Sequence, residues 1–100
     1  MDFPDPIEVI ASRKLHLISA TRERDIQICI GKPLPFPDKT GFYCPIQILG
    51  LGDEKVQCVG GTDSLQALQL AFEILHARLK ALDPEVLAKL RWNGEPDLGI

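Results

Sequence analysis

The fold turns on one stretch, Ser64-Leu65-Gln66-Ala67-Leu68-Gln69-Leu70-Ala71-Phe72-Glu73-Ile74-Leu75-His76-Ala77-Arg78-Leu79-Lys80-Ala81-Leu82. Its apolar positions Leu65, Leu68, Phe72, Leu75, Leu79 and Leu82 recur at spacings of 3, 4, 3, 4 and 3. That recurrence puts them on one face of a helix, and Ala67, Ala71 and Ile74 widen the stripe. Gln66, Gln69, Glu73, His76 and Lys80 form the opposing polar stripe. Thr62 or Asp63 caps the free amides of the first turn, and Gln66, three residues after Asp63, permits a capping-box variant. Downstream, Asp83-Pro84 restarts the chain, with Asp83 as cap and Pro84 at the first helical position, where its missing donor is harmless. A short second helix over Pro84–Leu90 follows, then a turn at Arg91-Trp92-Asn93-Gly94 and an extended or frayed end, with Trp92 folding the tail back.

Upstream of Gly60-Gly61 the period changes from helical to alternating. Asp25-Ile26-Gln27-Ile28-Cys29-Ile30 places three isoleucines on one face, and β-branched residues suit a pleated, half-buried surface. Ile10–Ile18 alternates in the same way, with Leu15 and Leu17 opposite Lys14 and His16. Phe42–Leu49 aligns Cys44, Ile46 and Ile48 against Tyr43, Pro45, Gln47 and Leu49, with Pro45 favouring an edge strand or a bulge. Gly50-Leu51-Gly52-Asp53 reads as a turn into a fourth strand, Lys55–Val59, aligning Val56 and Cys58. Between the second and third strands lies the proline loop Gly31–Asp38, whose prolines cannot donate to a ladder. Short links pair such strands most simply as a meander. The expected fold is therefore α+β: a four-stranded antiparallel meander packed on one face by a long amphipathic helix, with a short second helix. One domain, 1–100, is expected, flexible at 1–7 and 95–100.

Composition narrows the function classes. The chain has 100 residues, 45% apolar and 25% charged, with a formal net charge of −3. That balance lacks the electrostatic footprint of a general nucleic-acid-binding domain; Arg13, Lys14, Arg22 and Arg24 would have to cluster to make one. The acidic, proline-broken start Met1-Asp2-Phe3-Pro4-Asp5-Pro6 does not read as a secretory signal, and no apolar run is long enough to cross a membrane. With three cysteines inside strands, a cytoplasmic protein with buried thiols is expected. A Cys44–Cys58 bridge is the alternative in an oxidising medium.

With those residues in place, the chain resembles a family of small bacterial proteins catalogued only as a domain of unknown function. The resemblance rests on Ile10-Ala11 with Arg13 and Leu15, on Ile28, Ile30-Gly31 and Pro33, and on Cys44-Pro45, Ile48 and Gly50-Leu51-Gly52. It continues through Gly61, Asp63, Leu65-Gln66-Ala67-Leu68, Leu70 and Ala71, then Trp92 and Asp97-Leu98-Gly99. It implies a bacterial origin and a stand-alone domain, and carries no activity with it.

No convergent chemistry stands out. The cysteines are 15 and 14 residues apart, without the Cys-x₂-Cys pairs of a zinc site. His16 falls on the polar face of a strand and His76 on the polar stripe of the helix, so neither is expected to meet a nucleophile. The carboxylates gather at termini, turns and caps. No phosphate loop ends in Lys-Ser/Thr. No catalytic residue, cofactor or metal is therefore expected. A single helix covers one sheet face, so the expected interaction surface is the other: Tyr43, Pro45, Gln47, Leu49, Gln57 and Val59, with Trp92 from the tail. The leading expectation is a non-enzymatic binding or assembly module, acting through that face or the proline loop, with a protein partner or a second copy as in a homodimer. Toxin neutralisation of the immunity type is one version. The alternative is a small enzyme or ligand-binding domain with a pocket between the sheet and the C-terminal tail, lined by Cys44, Tyr43 or His16.

Overall fold

The computed structural model describes residues 7–19 and 21–100. Residues 1–6 of the expected flexible start, and Ala20 of the expected first turn, lie outside it. The elements are β1 (Val9–Leu17), β2 (Arg24–Gly31), β3 (Leu34–Pro35), β4 (Phe42–Leu49), β5 (Gln57–Gly61), α1 (Ser64–Lys80), α2 (Pro84–Lys89) and β6 (Leu90–Arg91). The four long strands form the expected antiparallel meander, β1-β2-β4-β5, with β6 added outside β1 and β3 beside β4. The protein is thus α+β, an antiparallel sheet carrying a long helix and a short one.

Pro45 lies in the interior strand β4 rather than at the edge its missing donor favoured. Its position explains the exception. β2 pairs β4 over Ile46–Leu49 and β3 pairs it over Phe42–Tyr43, so Pro45 falls in the gap between the two ladders. The proline loop closes through Phe36 N donating to Gly41 O and Lys39 N to Phe36 O, both at 2.9 Å. Asp38 Oδ1 accepts from Thr40 N at 3.1 Å and from Thr40 Oγ1 at 2.7 Å. These bonds hold the Asp38 carboxyl below its ordinary range.

The fourth strand starts later than expected. Gly50 and Gly52 take φ of 103° and 107°, and the turn is extended by Gly50 N donating to Glu54 Oε2 at 2.8 Å and Gln47 Nε2 to Glu54 O at 2.7 Å. The strand therefore begins at Gln57, and Val59 sits opposite Cys44 on the helix side, while Cys58 sits opposite Pro45 on the other. Side chains alternate, so a one-residue error in phase exchanges every face assignment. Val59, not Val56 and Cys58, completes the inner face.

That face carries Leu15, Leu17, Ile26, Ile28, Ile30, Cys44, Ile46, Ile48 and Val59, all buried. Each large aliphatic group removed from water contributes roughly 1.5–3 kcal/mol before entropy is subtracted. Helix α1 begins at the Asp63 cap, whose Oδ1 accepts from Gln66 N at 2.7 Å while Gln66 Oε1 accepts from Thr62 N at 2.6 Å. The capping-box variant is formed. The helix packs on β4 and β5, but rolled from the expected line. Ala67, Ala71, Leu75 and Leu79 are buried, whereas Leu65 and Phe72 are 64% and 47% exposed. The cause is the close entry from β5. A Cβ on Gly61 would lie 2.5 Å from Ala67 N, so the first turns of the helix sit tight on the strand and only alanine fits beneath.

Candidate functional site

Most of the expected interaction face is occupied by the chain itself. Phe36 packs on Tyr43 with ring centroids 5.3 Å apart, and Tyr43 is buried. A Cβ on Gly31 would lie 2.6 Å from Pro45 Cγ and 3.3 Å from Ile7 Cδ1, so Pro45 and the buried Ile7 close over that glycine. Gln47 and Leu49 are half-buried on the same face. Gln57 and Val59, assigned to it from the sequence, are on the helix side instead. Toward β1 and β2 the same face carries an ionic contact, in which Asp25 bonds His16 Nδ1 at 3.0 Å and approaches Lys14 Nζ at 3.7 Å.

Trp92 also lies on the helix side, and it organises a different site. The chain leaves β6 and turns in a tight hairpin, with Asn93 and Gly94 at φ of 51° and 81° and Trp92 and Glu95 exchanging two 2.9 Å main-chain bonds. Arg13 is in phase with Leu15 and Leu17, a cation on the apolar face of β1. Its guanidinium stacks over the Trp92 ring at 3.9 Å from the centroid, and Nη1 donates to Leu98 O at 3.0 Å and Gly99 O at 3.1 Å. Such stacking suits a planar, delocalised cation. Gly99, at φ 71°, lies so close that a Cβ there would be 2.5 Å from Trp92 Cζ3. His76 Nδ1 lies 3.0 Å from Ile100 O, an oxygen that can only accept, so Nδ1 is the donor of this pair. Main-chain oxygens of three successive tail residues are thus held by side chains from β1 and α1.

Because α1 rides over β4 and β5 and the tail crosses β1, a groove of about 600 Å³ remains between them. Ala11, Ile28 and Ile30 line its sheet side, Phe72, Glu73 and His76 its helix side, and Gly99 and Ile100 its tail side, with Arg13 beside them. The groove lies between sheet and tail, but none of Cys44, Tyr43 and His16 lines it. The sequence signal for it was available in two places: Arg13 in phase with buried leucines needs a partner, and an apolar arc as wide as that of α1 exceeds what one sheet contact covers.

The other reactive groups are not assembled. The three cysteines are free thiols. Burial raises the Cys29 thiol, and pushes Cys44 and Cys58 up to about 11, with mutual repulsion adding to the latter. His16 and His76 are on opposite sides of the sheet. Among the described residues, no three His, Cys, Asp or Glu side chains are grouped to hold a metal ion, and no helix is long and apolar enough to cross a membrane. No curated protein matches the chain, and no solved structure does. Residues 11–100 match the model of a domain of unknown function, DUF6968, and the chain belongs to that family.

Proposed function

We propose that the chain is a non-enzymatic ligand-binding domain of the bacterial cytoplasm, taking an apolar small molecule into the groove between α1, β1–β2 and the tail. The observation that carries this reading is the apolar surface that packing leaves unused beside a concavity: Phe72 stands half-exposed in the groove that Ala11 and Ile30 also line. Clefts of roughly 300–1,000 Å³ with mainly apolar walls and a few polar groups are the usual form of small-molecule sites. Within this groove Arg13 is already engaged by the tail, and Glu73 offsets its charge, so an uncharged ligand suits it best. The thiols, held protonated and away from both histidines, favour binding over nucleophilic chemistry. Free thiols also suit a reducing compartment.

Titration of ¹⁵N-labelled protein with the neutral apolar dye N-phenyl-1-naphthylamine tests this. Saturable one-site binding is expected, with shifts at Ala11, Ile30, Phe72, His76 and Ile100, and affinity at least tenfold lower in Phe72→Asp. Non-saturable binding, or shifts centred on Gln47 and Leu49, would contradict it.

A further inference from the structure

We infer that the ligand of the groove is an uncharged apolar alcohol or phenol, whose hydroxyl donates to the Glu73 carboxylate while its body lies against Phe72 and the sheet; this rests on the groove reading proposed above. The groove is unevenly polar. Its sheet side carries the apolar Ala11, Ile28 and Ile30. On its helix side Phe72 is followed by Glu73 and then by His76, one turn further along α1, so the two ionisable groups are neighbours on one face.

What each polar group still offers decides the ligand's chemistry. Arg13 commits Nη1 to Leu98 O and Gly99 O, at 3.0 and 3.1 Å, and one face of its guanidinium to Trp92. An accepting group on the ligand would have to share Arg13 with those two oxygens. His76 donates through Nδ1 to Ile100 O at 3.0 Å, so in the neutral ring Nε2 is left as an acceptor. The Glu73 carboxylate only accepts, and among the described residues it has no hydrogen bond or ion pair. Both helix groups therefore call for a donor on the ligand. A purely apolar ligand would strip water from Glu73 and return nothing, a penalty that a neutral hydroxyl removes through a charge-assisted bond. An ammonium would make the same bond, but it would bring a second cation into a groove that already holds Arg13.

A matched pair of probes tests the inference: 2-naphthol, and 2-methoxynaphthalene, which keeps the rings and the oxygen but has no donor. Each is titrated into the full ¹⁵N-labelled chain at pH 8 and followed at Ala11, Ile30 and Ile100. 2-Naphthol should bind roughly tenfold more tightly than the ether. Glu73→Leu should bring that ratio close to one, whereas Glu85→Leu, which removes a carboxylate from α2 outside the groove, should retain it. Glu73 and Glu85 are both exposed, so neither change removes a packed group. Equal binding of the two probes at the groove, or a preference that survives Glu73→Leu, would overturn the hydroxyl assignment and leave the groove reading standing. Failure of both probes to bind would instead remove the groove reading, and the assignment with it.

Discussion

The two halves of the sheet's inner face are covered by different means. Over β4 and β5 lies α1, seated through Ala67, Ala71, Leu75 and Leu79, all within 3% of complete burial. Over β1 lies the tail, held chiefly by one guanidinium stacked on Trp92, the bonds of Arg13 and His76 to its main-chain oxygens, and the partly buried Leu98 and Ile100. The first cover is side-chain packing and leaves no room. The second is a polar clasp on a short segment, and beside it the groove stays open. Dense apolar contact gives global stability, whereas polar pins on a surface segment give a region that opens locally at smaller free energy.

Substitutions sharpen that contrast. Leu75→Ala removes a fully buried side chain from beneath α1 and should cost about 2–5 kcal/mol in urea-induced unfolding. Phe72→Ala, one helical step away but half-exposed, should cost under about 1.5 kcal/mol; equal losses would mean the helix is not rolled as described. Next in size is Gly99→Ala. It places a Cβ against Trp92 at positive φ and should cost roughly 1–3 kcal/mol, seen as faster amide exchange from Trp92 onward with α1 unchanged. Arg13→Lys keeps the charge but loses the planar stack, and should release the tail by about 1 kcal/mol.

The sequence showed the meander and the helix because their signals are local: alternation at Ile26, Ile28 and Ile30, and the 3–4 recurrence in α1. It misplaced whatever depended on contact between elements. The roll of α1 is set by how closely Gly61 brings Ala67 to β5, which periodicity does not contain. The phase of β5 depends on Glu54 bridging back to Gln47 and Gly50, which lengthens the turn and turns Val59 inward. Burial of Tyr43 and Pro45 under Phe36 and Ile7 depends on where the proline loop and Ile7 come to rest. The groove inherits all of these, so its lining was legible only as an Arg13 out of place among leucines and a helix with more apolar surface than it needed.

Two titrations give smaller effects. The Cys44 and Cys58 thiols are raised from 9.0 to about 11, so the folded protein retains protons that the unfolded chain releases. Their contribution is fully present below pH 9.0 and is lost as pH rises through about 11, so stability should fall across that window. Native protein should correspondingly resist iodoacetamide at both positions at pH 8, a condition under which the urea-unfolded chain reacts. Asp38 has the opposite sign: its lowered carboxyl favours the folded loop above the ordinary aspartate range, an advantage lost as pH falls through its folded value. Thr40→Val should return the Asp38 titration, followed by NMR, toward the ordinary range.

The roll of α1 is tested most directly by solvent accessibility along the helix, measured as paramagnetic broadening of methyl and aromatic NMR signals by a soluble nitroxide. Strong broadening is expected at Leu65 and Phe72, with protection at Ala67, Ala71, Leu75 and Leu79. Protection of Phe72 equal to that of Leu75 in the free protein would show the groove to be closed and contradict the roll of α1 that leaves Phe72 exposed.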